Sequence, residues 1–204
     1  MKKIIIFFLL GLAGFIALRT YLSVPDIKNT DPEGENIICF GDSLTYGTGV
    51  TKKGMDYPSQ LSRMIHMPVI NAGVPGDTTA SALERLEEDV LSRSPKIVLI
   101  TLGGNDLKNR VPREIAFKNL RVIIRSIQDK GALVIVAGIK SPFWDKGFGS
   151  SYEELCDEMG AVLIPNIFEG IMGKRHLMSD PIHPNDAGYT IFAKKFQEKI
   201  KPFL

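Results

Sequence analysis

The sequence predicts an α/β fold in which a parallel sheet of five strands is covered by helices on both faces. Five short apolar runs follow one another along the chain and have the length of buried strands. Amphipathic stretches with helical spacing separate them, as expected for right-handed crossovers between parallel strands. The candidate strands are residues 37–40, 69–71, 97–102, 133–139 and 162–165.

A hydrophobic segment occupies the amino terminus. Lys2 and Lys3 precede an uninterrupted apolar run from Ile4 to Leu18. This run is short for a full membrane span and fits the apolar core of a signal peptide, although the residues behind it can lengthen it. We therefore predict that residues 1–24 are a signal peptide or a membrane anchor that forms a hydrophobic helix. A buried helix of the domain core is the alternative.

A linker is predicted between this segment and the domain. Residues 25–36 are rich in Pro, Gly, Asn and charged side chains, and the domain then spans residues 37–204. Because positive residues before an apolar segment stay in the cytoplasm, we expect an exported domain in the periplasm or another extracytoplasmic space. An uncleaved segment would tether the domain to the cytoplasmic membrane through residues 4–22.

The charge of the chain does not indicate a nucleic-acid-binding protein. The sequence has 25 basic and 23 acidic residues, and three of the basic ones lie in residues 1–24. The remainder, with 22 basic and 23 acidic residues, has a net charge of −1. Such a domain lacks the positive field that attracts phosphates. We expect a monomer that acts on a small molecule and binds no nucleic acid.

Three amphipathic stretches are predicted as helices that pack on the sheet. The first has apolar residues at Leu83, Leu86 and Val90, and the last runs from Asp186 to Ile200. Between them lies a longer stretch that ends at a glycine, the usual residue after a helix. Its apolar face comprises Ala116, Leu120, Ile123, Ile124 and Ile127.

The two cysteines are predicted to be buried thiols. Cys39 lies within an apolar strand and Cys156 within a helical stretch, and small apolar surroundings favour a free thiol there. A disulfide is the alternative in an exported protein. No cluster of Cys and His has the spacing of metal ligands, so we propose no metal and no cofactor.

Polar motifs follow the predicted strands at the points where ligands collect in a parallel sheet. Carboxyl ends of such strands meet at one edge, where they form a common crevice. Three of the motifs follow the first three strands, and the fourth precedes the last helix. They are GDSL at residues 41–44, NAGVPGDT at 71–78, GGND at 103–106 and DPIHPND at 180–186.

Ser43, His183 and Asp180 are the candidate catalytic residues. A serine hydroxyl needs a base to take its proton, and the base needs a group that orients it. His183 follows Asp180 by three residues in a loop stiffened by prolines, whereas His66 and His176 have no such partner nearby. Taken alone, Ser43 is equally explained as a helix cap, and His183 with Asp180 as a surface pair.

Three groups are candidates for binding the oxyanion that forms when a serine attacks an ester. Gly73 can offer its backbone N–H at close range because it has no side chain. Asn105 offers a side-chain amide, and the backbone N–H of Ser43 completes the set. Each also has a structural explanation, since such residues are common in turns and helix caps.

Together the four motifs resemble those of the SGNH hydrolases, the GDSL esterase/lipase family, over about residues 37–200. Similarity is greatest to the bacterial thioesterase I/lysophospholipase L1 and arylesterase group. The resemblance implies a flavodoxin-like three-layer sandwich in which Ser43 is the nucleophile, His183 the general base and Asp180 its orienting partner. It implies an oxyanion hole formed by Ser43, Gly73 and Asn105. Asp42 is left to shape the turn by local hydrogen bonds.

The resemblance implies acyl esters or thioesters as substrates, such as lysophospholipids or aryl esters. Apolar walls for an acyl chain are expected in the segments after Asn105 and after the fourth strand, where Phe143, Trp144 and Phe148 either line the pocket or close the core. Carbohydrate O-acetyl esters are an alternative with the same residues. A non-catalytic binding domain is another alternative. A flavin- or nucleotide-binding domain is disfavoured, because no glycine-rich phosphate-binding loop follows the first predicted strand of this sequence.

Overall fold

A parallel sheet of five strands forms the centre of the protein. The computed structural model describes residues 26–140 and 147–204. The sheet has the order β2-β1-β3-β4-β5, and every neighbouring pair is parallel, so the predicted fold class and all five strands are confirmed. The strands are β1 (Asn36–Gly41), β2 (Val69–Gly73), β3 (Pro95–Thr101), β4 (Leu133–Ala137) and β5 (Val162–Ile164).

Eight α-helices lie in the described part of the chain. The last begins and ends where the sequence predicts, and all five apolar positions of the long central stretch are buried. The helices are α1 (Ser43–Tyr46), α2 (Tyr57–Ile65), α3 (Thr79–Glu84), α4 (Leu86–Asp89), α5 (Gly104–Lys108), α6 (Arg113–Gln128), α7 (Phe148–Met159) and α8 (Asp186–Ile200).

The first predicted helical stretch is divided into two short helices. α3 ends at Glu84 and α4 begins at Leu86, with Arg85 between them. The guanidinium of Arg85 donates hydrogen bonds to the carbonyl oxygens of Gly41 and Ala72, each 3.0 Å away. Arg85 thus faces the ends of β1 and β2, and the helical run is interrupted where its side chain reaches them.

Helices cover both faces of the sheet. α2 and α8 pack together on one side, whereas α3 and α7 each contact α6 on the other. Burial on both faces explains why the strands are continuous apolar runs, and Ile97, Leu99 and Ile100 of β3 have no exposed surface. Complete burial of one such side chain stabilises the fold by about 1.5–3 kcal/mol.

The predicted linker packs against the domain at the amino-terminal edge of the sheet. The amide of Lys28 donates to the carbonyl oxygen of Gly160, just before β5, at 2.9 Å. The side chain of Asn29 donates to the carbonyl oxygens of Gln128 and Ala132 at 2.9 and 3.0 Å. Residues 26–35 therefore run along the ends where the strands begin.

Two predictions concern residues outside the described ranges. These are the hydrophobic segment of residues 1–24 and the aromatic pair Phe143 and Trp144. Within residues 26–140 and 147–204, no helix is both long and apolar enough to cross a bilayer. Cys39 and Cys156 are described, and both are buried free thiols as predicted.

Candidate active site

Ser43 lies at the carboxyl end of β1, on the first residue of helix α1. Asp42 caps this helix, because its carboxylate accepts a hydrogen bond from the amide of Leu44 at 2.9 Å. The first amides of a helix have no partner within the helix, so the backbone N–H of Ser43 is free to donate elsewhere. The side chain of Ser43 is half-buried. Ser43 is thus the first residue of a helix and also carries an accessible hydroxyl group.

Ser43, His183 and Asp180 form a connected chain of hydrogen bonds. Nε2 of His183 is 3.0 Å from Oγ of Ser43. Nδ1 of the same imidazole is 2.6 Å from Oδ2 of Asp180. The predicted base and its orienting acid therefore lie in line with the serine, although 140 residues separate His183 from Ser43.

The loop that carries His183 is closed by its own hydrogen bonds. Oδ1 of Asp180 accepts from the amides of Ile182 and His183, each at 2.8 Å. Ser179 donates its amide and hydroxyl to the carbonyl oxygen of His183 at 2.9 and 3.1 Å. Asn185 caps helix α8 directly after the loop, as the sequence suggested. The imidazole therefore projects from a fixed turn.

The carboxyl group of Asp180 is held in its charged form. Partial burial raises its pKa, but the hydrogen bonds from the His183 ring and from the amides of Ile182 and His183 outweigh that effect, so the pKa lies below the ordinary value. A charged Asp180 keeps a proton on Nδ1 of His183 and leaves Nε2 as the acceptor that faces Ser43.

Asn105 lies beside Ser43 at the start of helix α5. Its Nδ2 donates to the carbonyl oxygen of Asp77 at 2.9 Å and to Oδ2 of Asp42 at 3.3 Å. Both Ser43 and Asn105 line the same cavity. The structure therefore brings the predicted nucleophile and the predicted amide donor together at the ends of β1 and β3.

Gly73 does not fit its predicted place in the oxyanion hole. Its backbone N–H already donates to Oδ1 of Asn71 at 3.0 Å. A Cβ at this position would lie 2.1 Å from the amide nitrogen of Tyr46. The missing side chain is needed for close packing of β2 against α1, which corrects the sequence-based assignment.

The loop after Gly73 contains a glycine that sequence reasoning missed. Residues 74–77 form a type II turn, in which the amide of Asp77 donates to the carbonyl oxygen of Val74 at 3.2 Å and Gly76 has a φ of +90°. Only glycine adopts that conformation without strain. Gly76 is exposed, and its amide has no partner among the described residues. The Pro75–Gly76 pair, which is typical of the central positions of a type II turn, was the sequence signal that could have indicated this glycine.

Arg85 holds this loop against the sheet. Its Nε lies 2.6 Å from Oδ2 of Asp77, and its Nη1 lies 2.7 Å from Oδ2 of Asp89. The guanidinium also stacks 4.4 Å from the centre of the Phe40 ring. Because the carbonyl oxygen of Asp77 accepts from Asn105, Arg85 indirectly positions the Asn105 amide. A single arginine within a helical pattern gave no sequence signal for this role.

Asp42 is a buried acid with an unusual pKa. Burial raises its pKa to about 7, and the nearby charges of Asp77 and Asp106 act in the same direction, while the hydrogen bond from Leu44 opposes them. An acid whose pKa is higher in the folded state than in the unfolded chain takes up protons on folding. Its ionisation therefore destabilises the protein as the pH rises from about 4 to 7.

We expect Asp42→Asn to flatten this dependence. Between pH 5 and pH 8 the wild-type melting temperature should fall by at least about 3 °C more than that of the variant, because asparagine keeps the cap without the ionisation. Differential scanning calorimetry of both proteins at several pH values measures the two slopes. Equal slopes would show that Asp42 is not the group responsible.

The candidate active site opens into an apolar cavity of about 330 Å³. The predicted wall after Asn105 is confirmed through Leu107, Lys108 and Arg110, which line it. Phe148 instead packs in the core, 5.3 Å from the Phe117 ring, which supports its alternative role of closing the core. Wall residues that the sequence did not predict are Leu44, Ile139, Phe168, Met172 and Ile182.

Residues 39–191 match the GDSL-like lipase/acylhydrolase family. The chain belongs to this family. It is an ester-hydrolysing enzyme of the GDSL type, and it has the fold of the SGNH hydrolases. Across the described residues of this GDSL hydrolase, no group of three or more His, Cys, Asp and Glu side chains is arranged to hold a metal ion.

Several known esterases are similar to this GDSL hydrolase over most of its length. An arylesterase of Vibrio mimicus is 30% identical over 181 residues, which cover 83% of this chain and 90% of the relative. The thioesterase 1/protease 1/lysophospholipase L1 of Escherichia coli is 27% identical and covers 83% and 85%. The crystal structure of TesA superimposes with a TM-score of 0.78 at 26% identity and covers 83% of this chain and all of that one.

Proposed function

We propose that this GDSL hydrolase is a serine esterase that cleaves carboxylic esters and thioesters through an acyl-enzyme on Ser43. The observation that carries the proposal is the continuous chain from Ser43 to His183 to Asp180 at the wall of an apolar cavity. A hydroxyl, a base and an orienting acid in this sequence are the parts that nucleophilic acyl transfer requires.

The distances support a two-step reaction. His183 Nε2 takes the proton of Ser43 as Oγ attacks the ester carbonyl, and it then gives that proton to the leaving alcohol or thiol. Asp180 stabilises the charged imidazole in between. A water molecule, activated by the same nitrogen, cleaves the acyl-enzyme and restores Ser43. Apart from the ester and this water molecule, neither step needs a further reactant to balance.

We assign the binding of the oxyanion to three hydrogen-bond donors near residues 74–77, the loop that Arg85 holds against the sheet. The amide of Ser43, at the start of α1, has no partner in the described part of the chain, and Nδ2 of Asn105 can exchange its longer bond, to Asp42, for the oxyanion. Gly76 replaces Gly73 in this proposal, because its free amide directly precedes Asp77, the residue that Asn105 contacts.

Asn105→Ala is expected to lower kcat about a hundredfold with a smaller change in KM, because the amide acts mainly on the charge of the transition state. Asn109→Ala is the matched control, since Asn109 is exposed one turn further along and is not part of the cavity wall. Steady-state kinetics on one p-nitrophenyl ester compare them. A full rate in Asn105→Ala would remove this residue from the oxyanion hole.

The apolar wall favours acyl chains longer than acetyl. Leu107, Phe168 and Ile182 surround the space next to the Ser43 hydroxyl, and an acetyl group would leave most of that surface uncovered. We therefore propose acyl esters and thioesters ahead of carbohydrate O-acetyl esters. The relatives named arylesterase and thioesterase 1/lysophospholipase L1 are consistent with this choice.

A series of p-nitrophenyl esters from acetyl to palmitoyl tests this proposal on the full-length protein in mild detergent. We expect kcat/KM to rise with chain length until the cavity is filled. Activity on acetyl alone would favour the carbohydrate esterase. A folded protein without activity on any of these esters would favour a non-catalytic binding domain.

We also propose that residues 1–24 export the domain and that an uncleaved form stays on the membrane. The support is the pair Lys2 and Lys3 before the apolar run Ile4–Leu18. Fractionation of producing cells, followed by the intact mass of each fraction, tests this directly. A full-length chain in the cytoplasmic fraction alone would contradict export.

A further inference from the structure

Two positively charged side chains stand at the mouth of the cavity without an acidic partner. Lys108 ends helix α5, and Arg110 follows it by two residues. Both line the cavity that contains Ser43 and His183, and both are exposed. Among residues 26–140 and 147–204, neither has an ion pair or a side-chain hydrogen bond.

Four other arginines of the described chain have acidic partners, and the three that lack one, Arg63, Arg125 and Arg175, do not line the cavity. Arg85 and Arg93 both bind Asp89, and Arg121 binds Glu158 at 2.6 Å. The one acid on the cavity wall, Asp42, is buried and turned towards the amides of Leu44 and Asn105. The mouth of the cavity therefore carries two positive charges that no side chain of the wall neutralises.

The backbone that carries these two residues is fixed beside the cavity. The amide of Val111 donates to the carbonyl oxygen of Asp106 at 2.9 Å and closes the turn. The buried carboxylate of Asp106 accepts two hydrogen bonds from Thr79, at 2.7 and 2.9 Å. Arg110 adopts a φ of +58°, an uncommon conformation for a residue with a side chain. The turn is thus fixed at both ends.

An ester bound for cleavage has two parts with different surroundings. The acyl chain occupies the apolar wall, whereas the leaving alcohol has to remain near His183 Nε2 and exit towards solvent. The exposed mouth is where Lys108 and Arg110 lie. A negative charge on the alcohol would meet them there, and charges of opposite sign at a partly apolar mouth attract each other more strongly than in bulk water.

We infer that this enzyme prefers acyl esters whose alcohol portion carries a phosphate or carboxylate group, which Lys108 and Arg110 bind. This inference rests on the proposed function, because it assigns the leaving group of that reaction. It makes the pair a determinant of specificity, acting on an anionic group within a few bonds of the ester.

A matched pair of substrates tests the inference. 1-Octanoylglycerol 3-phosphate and 1-octanoylglycerol share an acyl chain and an ester and differ by the phosphate, and both are used below their critical micelle concentrations with the full-length protein. We expect a higher kcat/KM for the phosphate ester. In Lys108→Gln/Arg110→Asn that preference should fall about tenfold, since two partly exposed ion pairs are lost. Asparagine is chosen because it tolerates the backbone of Arg110.

The control variant is Lys96→Gln/Lys130→Gln, which removes the same charge at the opposite edge of the sheet. It should keep the preference. Added NaCl should weaken the preference in the wild type and have little effect on it in Lys108→Gln/Arg110→Asn. An equal fall in both double variants, or an unchanged preference in the first, would overturn the assignment.

A third substrate separates the two ends of the ester. A p-nitrophenyl monoester of suberic acid carries its charge on the acyl chain, and p-nitrophenyl octanoate is its neutral counterpart. If the enzyme preferred the charged acyl chain and this preference depended on Lys108 and Arg110, the two residues would face the acyl portion. That result would contradict the inference that they bind the alcohol portion of the ester. Loss of activity on every ester, neutral ones included, would instead contradict the proposed function.

Discussion

Ser43→Ala is expected to abolish ester hydrolysis and to leave the fold intact. The hydroxyl forms the covalent bond to the acyl group, and removal of such a nucleophile typically lowers kcat by at least about ten-thousandfold. Among the described residues, the half-buried side chain has no hydrogen bond partner besides His183, so the alanine should not disturb the packing. Kinetics on p-nitrophenyl butyrate together with the circular dichroism spectrum measure both effects.

Covalent labelling provides an independent readout of the same prediction. An alkyl fluorophosphonate should add one phosphonyl group to the wild type, and peptide mapping should place it on Ser43. Ser43→Ala should remain unlabelled, whereas Ser92→Ala, an exposed serine on a distant turn, should be labelled like the wild type. Labelling of Ser43→Ala at full yield would show that another residue is the nucleophile.

His183→Ala should lose nearly as much activity as Ser43→Ala. Without Nε2, 3.0 Å from the hydroxyl, no base among the described residues is hydrogen-bonded to Oγ of Ser43 to take its proton. Members of such a triad act as a unit, so the double variant Ser43→Ala/His183→Ala should be no slower than either single variant. Steady-state kinetics on the three proteins test this non-additivity.

His176→Ala is the matched control for this second prediction. His176 lies seven residues before His183, and its exposed side chain makes no hydrogen bond within residues 26–140 and 147–204. This variant should retain the wild-type rate. If it lost activity while His183→Ala kept it, the base would have been assigned to the wrong histidine.

The elements that the sequence predicted correctly are those whose surroundings leave a simple pattern. Strands buried on both faces are continuous apolar runs, which is why β3 and β4 were found from their composition. Ser43, Asp180 and His183 lie in short motifs next to such strands or a helix start. Parallel strands then bring these motifs to one edge, so proximity followed from topology.

The elements that were not predicted depend on contacts between distant parts of the chain. Gly73 and Gly76 are three residues apart, and the packing of α1 against β2 accounts for the first, whereas the turn with its positive φ accounts for the second. Arg85 interrupts a helical pattern because it reaches the ends of two strands. Phe168 and Met172 come from an irregular segment with no periodicity. Apart from Gly76, whose turn the preceding Pro75 marks, such roles are set by tertiary structure and leave no local trace.

The contacts of residues 26–35 with the domain would determine the orientation of an anchored form of the enzyme. Its contacts at Gly160 and Ala132 lie where strands begin, whereas Ser43 lies where β1 ends, so about 20 Å of sheet separates them. In a form anchored through residues 4–22, the catalytic serine would point away from the bilayer that holds it. Such an enzyme could not hydrolyse lipids within the membrane leaflet that anchors it. Its substrates would be molecules that have already left that leaflet or that lie farther from the cytoplasmic membrane.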